Sequence, residues 1–150
     1  MRSFTDLADL TAAKGEHLGY SAWREVTQEQ VAMFADATDD HQWIHVDPVR
    51  AAESPFGGTV AHGYLTLALL PALMTEIFQV EGITMGVNFG LDKVRFPAPV
   101  RVGSRVRGGA ELTDVKNSPA GKLVKVKMTV EVEGQKRAAC VAETLSLYVA

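Results

Sequence analysis

Two short stretches of this chain carry side chains suited to acid/base chemistry. Asp40 and His45 stand five positions apart in Asp40-His41-Gln42-Trp43-Ile44-His45, a polar segment between two apolar ones. A carboxylate and an imidazole that share one water can take a proton from it and deliver one elsewhere. Seventeen positions after His45 comes Ala61-His62-Gly63, which opens the most apolar run of the chain, Tyr64 to Met74, where Thr66 is the only polar residue. A glycine at a helix start leaves a backbone N–H free to meet an anionic oxygen. Together the two stretches suit a thioester, whose carbonyl oxygen gathers charge when its acyl chain reacts.

Plainer readings compete at several of these residues. Asp47 lies directly before Pro48, which explains it as a helix cap. His41 and His45 have the four-residue spacing of two helical metal ligands, but the surrounding turn chemistry argues for a loop and no third ligand stands out, so no metal and no other cofactor is expected. His62, at the helix start, reads first as a capping or packing residue and second as another catalytic imidazole. The single Cys140 lies in an alternating segment, where a buried structural thiol is expected and no internal disulfide can form.

The elements that must position the dyad can be read from periodicity. Phe4, Leu7, Ala8, Leu10 and Ala13, closed by Gly15, predict a short amphipathic helix over 4–14, followed by a strand at about Tyr20 to Val26. Thr27 and Gln30 have capping-box spacing ahead of Val31, Phe34 and Ala35, so a second helix should run to about Thr38. A third short helix covers Pro48 to Ala52, which leaves Asp39 to Val46 as a loop held between two helix ends. After the Ser54-Pro55-Phe56-Gly57-Gly58 turn, residues 62–79 are apolar on nearly every face and predict a buried central helix, with Pro71 placed to kink it or free a carbonyl. From Ile83 the period becomes two, at Val87, Phe89 and Leu91 and again from Leu123 to Val132. Turn residues at Asn117-Ser118-Pro119-Ala120-Gly121 and Gly134-Gln135 join these strands into an antiparallel meander. The expectation is one α+β domain over 1–150, with an antiparallel sheet of about five strands wrapped around a long central helix.

Composition narrows the function. A chain of 150 residues with no linker suits one domain, and a net charge of −3 argues against a nucleic-acid surface despite the cluster Arg95, Arg101, Arg105 and Arg107. Met1-Arg2-Ser3-Phe4-Thr5-Asp6 lacks a signal core and the apolar run is too short for a bilayer, which points to a soluble, cytoplasmic protein without a membrane partner.

With these residues in place the chain resembles the MaoC-like hot-dog hydratases, the family of (R)-specific enoyl-CoA hydratases, over nearly its whole length. The family motif is an Asp, Asn-Pro two residues on, a His five residues after the Asp, and a second Asp; this chain reads Asp40-His41-Gln42-Trp43-Ile44-His45-Val46-Asp47. Ala61-His62-Gly63 is similar to the family's helix start, and Val94-Arg95-Phe96-Pro97-Ala98-Pro99-Val100 with Gly103 to its strand and turn. The departures are Gln42 and Trp43 for Asn and Pro, and Asp39 where glycine is usual. The resemblance implies Asp40 and His45 as the catalytic pair and Gly63, His62 and Gln42 as the oxyanion and substrate-binding residues. It implies an acyl-CoA thioester as substrate, syn addition of water to a trans-2-enoyl chain, and a homodimer with coenzyme A entering at the interface near Lys93 or Arg95. Two rivals share the fold. A thioesterase would need a carboxylate near the central helix, where Glu76 is the only one, and a non-catalytic acyl-binding protein would follow if Asp39, Gln42 and Trp43 spoil the site.

Overall fold

The structure, a computed structural model, describes all 150 residues. In chain order its elements are β1 Arg2–Phe4, α1 Leu7–Ala12, β2 His17–Tyr20, β3 Arg24–Glu25, α2 Gln28–Thr38, α3 Trp43–Val46, α4 Pro48–Ala52, α5 Gly63–Ala68, α6 Leu70–Ile77, β4 Phe78–Val80, β5 Met85–Arg95, β6 Arg105–Ser118, β7 Gly121–Val132 and β8 Cys140–Val149. The main sheet has the order β2-β6-β7-β8-β5, and β3 pairs with the opposite end of β6. Every pairing in it is antiparallel. The α+β architecture read from periodicity is therefore the one observed. No helix is long and apolar enough to cross a membrane.

Strict alternation makes the sheet two-faced. Val106, Ala110 and Leu112 on β6, Val124, Val126, Met128, Val130 and Val132 on β7, and Cys140 and Ala142 on β8 are buried. Charged residues alternate with them, so Arg107 meets Glu131 at 2.8 Å and Lys125 meets Asp92 at 2.8 Å on the other face. Partly exposed pairs of this kind add only about 0–1 kcal/mol each, so the inner face supplies the stability. Against that face lie α5 and α6, which contact β8 and β6 respectively. Leu65, Leu70, Leu73, Met74 and Ile77 enter the same buried cluster of 25 residues as the strands.

Several boundaries differ from the periodic reading. The first helix starts at Leu7, not Phe4: the Asp6 carboxylate accepts from the Ala8 and Asp9 amides, and Phe4 sits in β1 beside β4, its ring edge-on to Phe78. The strand over 20–26 is two pieces, because Ser21 interrupts it by exchanging its amide and hydroxyl with Gly108. The central helix is divided at Leu69, whose backbone stays helical, while Pro71 lies in the first turn of α6 and supplies no amide. Nor is it buried all round: Tyr64, Ala68, Pro71, Ala72 and Thr75 are exposed along one side.

The last strand is not an edge. β8 lies between β7 and β5, so the meander ends at β8 and the connection from α6 carries β5 to the outer flank. There Met85, Val87, Phe89 and Leu91 are exposed, an apolar row on a strand whose outer edge has no partner.

Helix α6 lies close on the sheet at Gly108, where an added Cβ would stand 3.0 Å from the Leu73 Cβ and 3.3 Å from the Met128 Cε. Gly108→Ala should lower unfolding free energy by about 1–3 kcal/mol, the usual cost of overpacking a core. Urea denaturation measures it, and an unchanged midpoint would show that the helix can lift off the sheet freely.

Candidate active site

The dyad loop is built by the ends of three helices. Helix α2 starts where the Thr27 hydroxyl accepts from the Gln30 amide, and ends with Asp39 in the left-handed region at φ 57° and ψ 21°. Glycine takes that conformation freely and aspartate tolerates it, so Asp39 does the backbone work that glycine does in the related motif. The Asp40 carboxylate then accepts weakly from the Gln42 amide at 3.4 Å, an Asx turn that points the chain into α3. The segment expected to be all loop thus contains one helical turn, Trp43–Val46, which carries His45. Asp47 caps α4 by accepting from the Arg50 amide at 3.0 Å, as its place before Pro48 predicts.

His45 is buried at 7% exposure, and its Nδ1 lies 2.6 Å from the Val60 carbonyl. A carbonyl only accepts, so Nδ1 carries the hydrogen and Nε2 keeps a bare lone pair. Burial pushes the His45 pKa below its ordinary value; the Val60 bond opposes this, His62 adds to it, and Asp40 opposes it. The ring is therefore poised as a neutral base.

Structure brings Asp40, His45 and His62 together, with one nitrogen or oxygen of each within 4.8 Å of the others. Asp40 is half-exposed, whereas His62 is 2% exposed. The His62 side chain caps nothing. Its ring stacks on that of His45 at 3.8 Å and 22°, and its Nε2 reaches the Asp40 backbone carbonyl at 2.9 Å. The cluster poorly fits a metal. Imidazole lone pairs lie in the ring plane, so two nearly parallel rings aim them side by side rather than at one point. His41 is elsewhere, paired with Asp36 at 2.8 Å on the exposed side of α2.

Gly63 begins α5, and neither its amide nor that of Tyr64 donates to a protein acceptor. An added Cβ at Gly63 would come within 3.0 to 3.1 Å of the Phe96 ring, so this glycine also makes room for that ring. A cavity of about 260 Å³ adjoins it, lined in part by Thr66, Phe96, Pro97 and Val100. Gln42 contributes its amide to the turn, and its exposed side chain bonds to nothing in the protein. Trp43 is covered by the Arg50 guanidinium at 4.2 Å. Glu76 is engaged by Arg24 and by the Ala22 amide, which leaves no free carboxylate on the helix.

Sequence reasoning missed Gln28. Its Nε2 donates to the His45 carbonyl at 2.8 Å and its Oε1 accepts from Thr59 at 2.5 Å, clamping the dyad loop to the segment that holds the imidazole. Nothing in the capping-box pattern separates this glutamine from an ordinary first-turn residue.

Because the folded pKa of His45 is depressed, its contribution to stability is present above the unfolded value of 6.5 and is lost as pH falls through that value toward the folded one. Wild-type protein should therefore lose stability faster than His45→Gln between about pH 7 and 5. Urea melts across that range test it, and parallel pH curves would show that His45 titrates alike folded and unfolded.

Comparison with known proteins identifies the family. A MaoC like domain matches residues 9–135. The chain is 56% identical over 151 residues to 3-hydroxyacyl-thioester dehydratase Z of Mycobacterium tuberculosis, covering 100% of both. It is 49% identical over 144 residues to nodulation protein N of Rhizobium leguminosarum, across 94% of this chain and 89% of that protein. Among solved structures, the (R)-hydratase of A. caviae matches with a TM-score of 0.72 at 23% identity, over 88% of this chain and 96% of that one. With a helix laid across an antiparallel sheet and a family match over most of its length, the chain belongs to the MaoC-like dehydratases and has their hot-dog fold.

Proposed function

We propose that this chain is an (R)-specific enoyl-CoA hydratase, which adds water reversibly and syn to trans-2-enoyl-CoA to give (R)-3-hydroxyacyl-CoA. The observation that carries the reading is the 2.6 Å contact of the buried His45 Nδ1 with the Val60 carbonyl, which assigns the hydrogen to Nδ1 and leaves Nε2 bare in surroundings shared with the Asp40 carboxylate. His45 takes a proton from water as the water oxygen attacks C3. The C2–C3 π pair moves toward the thioester, and its oxygen gains enolate charge. The Gly63 amide, without a partner inside the protein, meets that oxygen. C2 then takes a proton returned by the dyad, with Asp40 as relay, so the enzyme ends as it began. Oxygen and proton reach one face because the dyad stands on one side of the chain.

Apolar space for an acyl tail exists along the same helix. Leu67, Leu70, Pro71 and Met74 face Phe89 and Leu91 of β5 across a cavity of about 410 Å³. A thioesterase is less well supported, since Glu76 is tied up by Arg24. A second copy of the chain would cover the exposed row on β5, the edge at which an unpaired strand most needs covering. Coenzyme A would enter beside that edge, where Lys93 and Arg95 lie.

Two measurements test these readings. Asp40→Asn and His45→Ala should each reduce hydration of crotonyl-CoA by about two to four orders of magnitude without loss of fold, as removal of an acid/base group does; near-normal turnover by either purified variant would remove the dyad. Light scattering should give twice the chain mass of 16.2 kDa, and Phe89→Lys should shift it toward one copy. A fully active wild-type monomer would contradict the dimer.

A further inference from the structure

His62 occupies a position where a different residue would serve better if packing or capping were its whole task. At a helix start, Ser, Thr, Asp or Asn would cap α5, and the His62 side chain does not. In a site this buried, Phe or Leu would fill the space without polar atoms. His62 instead leaves its Nδ1 buried with no hydrogen-bond partner, which carries a desolvation cost. What it makes in return is specific. Its Nε2 lies 2.9 Å from the Asp40 carbonyl, which can only accept, so Nε2 carries the hydrogen and Nδ1 is the bare nitrogen. One face of its ring lies on His45 at 3.8 Å, and Phe34 of α2 presses on it at 4.9 Å.

We infer that His62 is a positioning residue of the dyad: its Nε2–H fixes Asp40 through the backbone carbonyl, and its ring face fixes the plane of His45. Both contacts are with groups of the protein itself. Asp40 needs such an anchor because its own side chain is half-exposed: its carboxylate accepts weakly from the Gln42 amide within its turn and otherwise only approaches His62 Nε2, at 3.9 Å. The two members of the dyad come from one short segment, whereas His62 comes from the start of the central helix. His62 therefore references both to the Gly63 amide next to it in the chain. This deepens the hydratase reading and rests on it for its activity arm.

Two substitutions divide the roles of the ring. His62→Phe keeps the volume and the stacked face but removes the donor, and His62→Gln keeps an amide donor at similar reach but removes the ring. With crotonyl-CoA as substrate, His62→Phe should lower kcat by about 100-fold, the scale of an ångström-sized misplacement of a reacting group, and leave KM within about threefold. His62→Gln should recover at least about a tenth of wild-type kcat, because it restores the donor. A residue that only packs would give the reverse order, Phe mild and Gln severe, and that order overturns the inference. The second arm needs neither activity nor a variant: nitrogen NMR of histidine-labelled wild-type protein at neutral pH should find His62 protonated on Nε2 and His45 on Nδ1. A His62 proton on Nδ1 overturns the inference even if both variants fail to fold. Absent turnover by wild-type enzyme would instead sink the hydratase reading and leave the positioning of Asp40 to be decided by the tautomer.

Discussion

The buried hydrogen bond from His45 Nδ1–H to the Val60 carbonyl, at 2.6 Å, is the contact on which the rest of the site depends. Without it the imidazole would leave Nδ1 without a partner at this depth and have a free choice of tautomer. With it, one nitrogen is spent on structure and the other is left for chemistry. The acceptor is itself held in place. Val60 donates its amide to Ile44 at 3.0 Å, and Ala61 donates to Val100 at 2.8 Å. Val60 also forms an isolated bridge with Arg101. Gln28 closes the circuit by binding both His45 and Thr59. A short turn of helix with little stability of its own thus becomes rigid by attachment.

The sheet sets the second constraint. Its inner face is apolar and its outer face charged, so α5 and α6 have one surface on which to lie, and Gly108 lets them come close. That fixes where His62 and Gly63 stand relative to the loop between α2 and α4. Toward β5 the helix no longer fills the inner face, and the larger cavity opens there between Met74 and Leu91. An acid/base cluster at the start of the helix and an apolar space farther along it are the two things the proposed enoyl thioester would require of one scaffold.

Local signals made much of this legible. The Thr27 and Asp47 caps, the helix over Pro48 to Ala52 and the alternating strands from Leu123 to Val132 all stand where side-chain chemistry and period two put them. Asp40 and His45 stood out by spacing alone, and it is the helical turn Trp43–Val46 between them that brings their polar atoms within 4.8 Å. What could not be read locally depends on distant partners. Phe4 fits a helical pattern but is drawn into β1 by strand β4, some 75 positions away, and Ser21 breaks a strand because of Gly108. Which strand forms the edge of the sheet is another such case, since sequence order does not reveal that β5 crosses to pair with β8. His62 reads as a cap until tertiary structure turns its ring onto His45, and Gln28 reads as an ordinary first-turn residue until Thr59 arrives beside it.

The central claim is that the bare Nε2 of His45 directs water to C3 of an enoyl thioester on one face. The most direct measurement is to incubate wild-type protein with crotonyl-CoA and follow the enoyl absorbance, the free thiol and the configuration of the product together. The account predicts loss of the enoyl band with no thiol released and only (R)-3-hydroxybutyryl-CoA formed. Release of thiol, or a product of (S) configuration, would contradict it.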